Sequence, residues 1–299
     1  DLLYTCAATM YERHEYSRAL EFFEDSLRIR RVKLGPTCVE IGETLLMIGQ
    51  TMARSDHYDE ALVFLKDSRS VLSEAKGNVS LDVGNCNHSI GAAYVAKNDF
   101  ETAIPYFLDA LPLRQKYFGD DMQVASTLFE LANAYNKIGN LVSALEYAVM
   151  ALRIRKLRCG NQSLECAESL SQLGDIHLEL LKDCEAQNCY NEALKVYTSV
   201  RGKGHVSVAE CLEKIGNIYL KQDQLSSATD NLRSALKVFT ENYGEVSFPV
   251  AKVLLTIGRV EAKKGASENA IACFKQSLSI SNELSEKSAV AAALYEIGV

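Results

Sequence analysis

Five histidines and nine cysteines are the side chains in this chain best suited to metal ligation or nucleophilic attack. The histidines, His14, His57, His88, His177 and His205, are scattered, with no HExxH pattern and no Cys/His cluster at metal-binding spacing. His177 stands where other copies of a repeat have tyrosine, and reads as a packing residue. No cysteine sits in a CxxC pair. Most, such as Cys6, Cys86, Cys211 and Cys273, fall where helical spacing calls for an apolar residue. They read as reduced thiols used as small hydrophobes, which points to a reducing compartment, the cytoplasm. Gly202-Lys203-Gly204 resembles a fragment of a phosphate loop but lacks the preceding strand and the full spacing, so it reads as a loop ending a helix. The expectation is a chain that is not an enzyme, with no metal and no cofactor.

The elements that position the remaining polar side chains are repeated. Seven alanines, Ala19, Ala61, Ala103, Ala144, Ala186, Ala228 and Ala270, follow one another at steps of 42, 42, 41, 42, 42 and 42 residues. Such a period means one supersecondary unit copied along the chain. Twelve residues before each alanine lies a second small residue: Ala7, Gly49, Gly91, Ala132, Gly174, Gly216 or Gly258. Sixteen residues after each of the first six lies a glycine: Gly35, Gly77, Gly119, Gly160, Gly202 or Gly244. Between these marks apolar residues recur at three- and four-residue spacing, so each unit is two amphipathic helices. Asp56, Asn98, Gly139, Asp223 and Gly265 mark the break between them, being types that tolerate a left-handed helix end. The paired small residues allow two helices to cross closely, and enlarging one of the alanines should cost roughly 1–3 kcal/mol as overpacking.

The period divides residues 1–299 into one array, with units at about 1–36, 37–78, 79–120, 121–161, 162–203, 204–245 and 246–287, and 288–299 as the first helix of a truncated eighth. The chain reads as a segment of a longer protein. Some units depart from the pattern. The fifth has Leu181-Lys182-Asp183-Cys184 at its turn, so its helices are expected to join differently. Pro112 is expected to bend the second helix of the third unit. The residue missing from the 41-residue step should lie after Gly119, and unit seven lacks a closing glycine. With 39 acidic against 32 basic residues the net charge is -7, which disfavours nucleic acid and strongly anionic membrane as partners. No apolar run approaches the roughly 20 residues that span a bilayer.

A Leu-x-x-Ile-Gly-x-x-Tyr first helix and an Ala-x-x-x-Phe/Tyr-x-x-Ala second helix resemble the tetratricopeptide repeat. The 42-residue period resembles the kinesin light chain and nephrocystin-3-like branch. So do the tails SLRIRRVKLG, ALPLRQKYFG and ALRIRKLRCG, with Arg30, Arg114 and Arg155 at equivalent places. The resemblance implies an all-α, right-handed superhelical solenoid of antiparallel helix pairs. It also implies that first helices line a concave groove where peptides bind.

Groove positions then follow from the chain's own spacing, at six and three residues before each first-helix small residue and at one, four and five after it. Those picked out as peptide-binding are Phe129, Asn133, Asn136, Lys137, Asp175, Glu210, Glu213, Asn217, Lys221, Arg259 and Lys263. Asparagine amides carry donor and acceptor together and can pair with the backbone of an extended peptide. Charge is split along the groove, acidic at Glu168, Asp175, Glu210 and Glu213 and basic at Lys252, Arg259 and Lys263, so a ligand would present basic residues to the former and acidic ones to the latter. No lysine stands three before a small residue, which argues against a clamp for C-terminal carboxylates. The reading is a non-catalytic protein–protein interaction scaffold or adaptor. The alternative is a regulatory or sensor array in a larger signalling or catalytic protein, its groove holding that protein's own segment. A self-associating spacer is a third possibility.

Overall fold

Two kinds of turn alternate along this chain, and their backbone demands explain why one is built on glycine and the other is not. The computed structural model describes residues 2–35 and 37–298. Asp1, Pro36 and Val299, at the limits of the first and last expected units, lie outside the described residues. Among the described residues there are fifteen helices and no strand. They are α1 (Leu2–Glu12), α2 (Tyr16–Leu34), α3 (Val39–Arg54), α4 (Tyr58–Lys76), α5 (Leu81–Ala96), α6 (Phe100–Phe118), α7 (Met122–Lys137) and α8 (Leu141–Cys159). After these come α9 (Leu164–Glu179), α10 (Asp183–Arg201), α11 (Val206–Lys221), α12 (Leu225–Tyr243), α13 (Phe248–Lys263), α14 (Ser267–Glu283) and α15 (Lys287–Ile297). The chain forms two compact halves, residues 1–158 and 159–299.

Within a pair, three residues join the helices and the middle one is left-handed, as at Asp56 with φ of 62°. His57 N donates to Met52 O at 3.0 Å, closing the helix end. Many residue types reach this conformation at modest cost, so the position varies: His14, Asn98, Gly139, Asp223 and Gly265 occupy it elsewhere. Leu181 occupies it too, with φ of 58°, and Lys182 N donates to His177 O at 2.8 Å. The fifth pair therefore joins like the others, against expectation, because the hydrogen-bonded turn forces the leucine into its backbone shape.

Between pairs the connection opens on a glycine in a different region, Gly77 having φ of 84° and ψ of 157°. That region is closed to residues with a Cβ, hence the glycine ladder. The shorter step arises here: three residues, 119–121, separate α6 from α7, against four, 77–80, between α4 and α5. The α14–α15 connection instead uses the within-pair turn, with Ser285 at φ of 58°, which is why no glycine closes unit seven. Gly298 lies just past α15 at φ of 84°, as its left-handed helix end. Helix α6 runs 19 residues through Pro105 and Pro112, the same length as α4 and α8.

The seven ladder alanines are all buried. The first-helix small residues face the side chain four residues beyond the alanine. A Cβ built on Gly49 would lie 2.6 Å from Leu65, on Gly91 2.8 Å from Phe107, on Gly174 2.6 Å from Tyr190, and on Gly216 2.7 Å from Leu232. One on Gly258 would collide with Phe274. The closeness is thus between a glycine and a large side chain as much as between two backbones. Pair four has alanine at both places, Ala132 and Ala148, and both are buried. Of the cysteines read as core, Cys86 and Cys211 are buried and Cys273 is half-buried, but Cys6 is exposed.

First helices contact one another in succession, α1 to α3 to α5 to α7 in the first half and α11 to α13 to α15 in the second. They form one wall in the first half, and in the second α9 joins it through the bond from Lys214 of α11 to Asp175. This wall carries the candidate site.

Candidate functional site

In the N-terminal half the wall contains a bay of about 530 Å³. Tyr11 and Arg54 line it from α1 and α3, Ala92 and Ala96 from α5, and Ser126 and Glu130 from α7. The alanines stand one and five residues after Gly91, where α3, α7, α9, α11 and α13 carry amides or charges; their small size opens the bay. Burial raises the Glu130 carboxyl above the usual carboxylate range.

Behind the bay lies a buried cation. Arg114 is 5% exposed and donates to Asn85 Oδ1 at 3.1 Å, Gln123 O at 3.0 Å and Thr127 Oγ1 at 2.9 Å. Desolvation brings its pKa down to about 10, so it stays charged at neutral pH. His88 sits beside it, 3.2 Å from Thr127 Oγ1, and desolvation together with Arg114 pulls its pKa down to about 3. His88 is therefore a neutral packing ring.

The same arrangement recurs in two other pairs. The Arg30 guanidinium lies 4.5 Å from the Tyr4 ring centre and donates to Glu40 O and Thr44 Oγ1, both at 2.8 Å. Arg155 lies 4.4 Å from the Phe129 ring centre. The ring and the arginine are 26 residues apart in each case (4 and 30, 88 and 114, 129 and 155). Arg30 and Arg114 stitch one pair to the next, and Phe129 offers Arg155 the face that the groove assignment gave to a ligand. Asn133 and Asn136 are half-buried and Lys137 exposed on the same helix, α7. None of these three makes a side-chain hydrogen bond among the described residues, and the Asn136 Oδ1 is shielded from solvent without a donor.

In the C-terminal half a cavity of about 330 Å³ opens on the wall. Asp175, Glu210 and Glu213 line it, with Lys214, Lys252 and a group of aromatic rings. Asp175 Oδ1 accepts from Tyr190 Oη and from Lys214 Nζ, each at 2.7 Å. Lys252 Nζ lies 2.8 Å from Glu213 Oε1. Glu210 has no ion pair among the described residues, and partial burial followed by the nearby Glu213 raises its pKa. Asn217 is half-buried and makes no side-chain hydrogen bond among the described residues.

The remaining charged residues assigned to the groove are matched within the chain: Lys221 with Asp183 at 3.2 Å, Lys263 with Asp223 at 3.1 Å, and Arg259 with Glu296 at 2.7 Å. These exposed pairs are weak and exchange readily for a ligand's charges. Arg259, Lys263 and Lys221 do not line the cavity that holds Asp175, Glu210 and Glu213.

The spacing rule missed one row of the wall. Ser89, Glu130 and Lys214, each two residues before the small residue, line the bay or the cavity. The signal was available: positions six and two before and one and five after are separated by four, three and four residues, a single helical stripe. Among the described residues no group of three or more His, Cys, Asp or Glu side chains could hold a metal ion, and no helix is long and apolar enough to cross a membrane.

Helix pairs packed in series, with first helices forming an open polar wall, define a helical-repeat protein. The tetratricopeptide repeat profiles match residues 2–74, 82–157, 165–241 and 251–284. The chain belongs to the tetratricopeptide repeat family. It is similar in fold to the apo form of RapI (TM-score 0.77, 14% identity, covering 98% of this chain and 80% of that one). It is also similar to a putative kinesin light chain with nearly identical repeats from Podosopora anserina (TM-score 0.58, 14% identity, 67% and 94%). A third similar structure is a signal-transduction ATPase with numerous domains and a tetratricopeptide repeat sensor from Pyrococcus horikoshii (TM-score 0.76, 12% identity, 97% and 44%). No curated protein sequence matches the chain.

Proposed function

We propose that the chain is a non-catalytic scaffold of the cytoplasm whose first-helix wall holds extended segments of partner proteins. The observation that carries this reading is a set of uncommitted amides. Asn133, Asn136 and Asn217 lie on first helices, half-buried, with no hydrogen bond inside the chain among the described residues. Amides not spent on partners inside the chain are available to a ligand, and an extended peptide backbone offers each of them both a donor and an acceptor. Binding of this kind draws its affinity from main-chain hydrogen bonds and its selectivity from neighbouring side-chain sites. The bay over Ala92 and Ala96 and the cavity beside Glu210 are two such sites.

A screen of 15-residue peptides on a surface array tests this. Binding should be found, and Asn133→Ala and Asn217→Ala should each weaken it about tenfold, in line with roughly 1–1.5 kcal/mol per lost hydrogen bond. Capture of no peptide, or capture indifferent to both substitutions, refutes the reading. The alternative, that the array is the sensor of a larger protein, is favoured by its likeness to the Pyrococcus horikoshii ATPase, of which it covers 44%. Under that alternative the peptide held would belong to the same protein.

A further inference from the structure

The cavity of the C-terminal half is short of one positive charge. It has three carboxylates, Asp175, Glu210 and Glu213, and two ammonium groups, Lys214 and Lys252. Lys214 is taken up by Asp175 at 2.7 Å, and Lys252 lies against Glu213 at 2.8 Å. Glu213 is only 5% exposed and, among the described residues, has Lys252 as its single ion-pair partner. Glu210, one turn earlier on α11, has no counter-ion among the described residues.

The apolar side of the cavity is equally unfinished. Tyr243, from the end of α12, is 51% exposed, and Phe248, from the start of α13, is 46% exposed. Both line the cavity, next to Pro249. Large rings left this open beside an unmatched carboxylate call for a ligand that is cationic at its tip and apolar along its stem. A guanidinium meets each demand. It is planar and weakly hydrated, it stacks on aromatic faces, and it presents five donors that can serve two carboxylates together. An ammonium has the charge without the plane.

We propose that this cavity receives the arginine side chain of a bound peptide, its guanidinium bridging Glu210 and Glu213 and its stem lying against Tyr243 and Phe248. The proposal rests on the peptide-binding reading above and adds the side chain that this part of the wall selects. Neutral citrulline, which keeps the shape of arginine and loses its charge, is the discriminating probe.

Two measurements on the full chain test it. In an NMR titration, N-acetyl-argininamide should shift the signals of Glu210, Glu213, Tyr243 and Phe248, and N-acetyl-citrullinamide should not. Among peptides taken from the array, arginine should be enriched, and its replacement by citrulline should weaken binding about tenfold. Glu210→Gln, at an exposed position, should abolish that difference while leaving the circular dichroism spectrum unchanged. Peptides that bind with no preference for arginine over citrulline, together with an unshifted cavity, overturn this inference and leave the groove reading standing. Shifts with argininamide in a chain that captures no peptide overturn the groove reading and keep the guanidinium site. Silence in both measurements overturns both.

Discussion

Asn87 is the residue whose replacement should most improve this fold. It lies on α5, is 2% exposed, and its Oδ1 is shielded from solvent with no hydrogen-bond donor. Four residues before the small residue of the other first helices stand Leu3, Leu45, Leu128, Leu170, Leu212 and Leu254, so the repeat supplies leucine at this place. Asparagine and leucine have the same branched skeleton of four side-chain heavy atoms, so Asn87→Leu changes polarity with little change of shape. Relieving an unpaired buried carbonyl is worth about 1–3 kcal/mol. Burying methyl groups in place of an amide adds to that, and imperfect packing subtracts up to about 1 kcal/mol. The net expectation is a gain of about 2 kcal/mol, or about 3 °C in Tm for a chain of this size. Thermal and urea melts followed by circular dichroism would read it. Because repeat arrays open in segments, hydrogen exchange at α5 should slow more than exchange at α13. Asn87→Ala, which removes the orphan oxygen but leaves a gap, should gain much less. A fall in stability of more than 1 kcal/mol for Asn87→Leu would refute the reasoning, since it would mean that a partner satisfies the carbonyl in solution.

Three further outcomes follow from the same geometry. Leu181→Asn should stabilise by about 0.5–1 kcal/mol in a melt, because a leucine held left-handed and 83% exposed carries backbone cost with no packing return. Gly91→Ala should cost roughly 1–3 kcal/mol as its methyl meets Phe107, and adding Phe107→Leu should recover part of it; an equal loss in both backgrounds would refute the steric account. His88 is held neutral in the folded chain, with its pKa down at about 3, whereas the unfolded chain protonates near 6.5. Stability should therefore decline as pH falls from 6.5 toward 3, because only the unfolded state takes up the proton. His88→Phe, which places a ring beside Arg114 as Phe129 lies beside Arg155, should flatten that part of the pH profile; an unchanged slope would acquit His88.

Much of this architecture was legible in residue spacing. The alanine ladder and its flanking glycines mark helix pairs because a close crossing admits nothing larger and a helix end with positive φ and extended ψ admits only glycine. The 41-residue step pointed correctly to the connection after Gly119, which is one residue shorter than its counterparts. Other features were present in the sequence but went unread. The 26-residue interval pairing Tyr4 with Arg30, His88 with Arg114 and Phe129 with Arg155 is regular, but its meaning depends on the two helices of a pair lying antiparallel. The row holding Glu130 and Lys214 needed only the helical period.

Spacing alone determined that this is an array of helix pairs, since local periodicity and backbone sterics act over a few residues at a time; that the first helices form the wall was implied by the resemblance to the repeat family. Only the tertiary structure decided which polar groups are spent and which are free. Asp175 and Glu210 look alike in the sequence, as acidic residues at neighbouring wall positions. One is engaged by Tyr190 and Lys214, and the other faces the cavity unmatched. That difference comes from side chains brought together by the packing of successive pairs, so it depends on distances in space that no interval along the chain encodes.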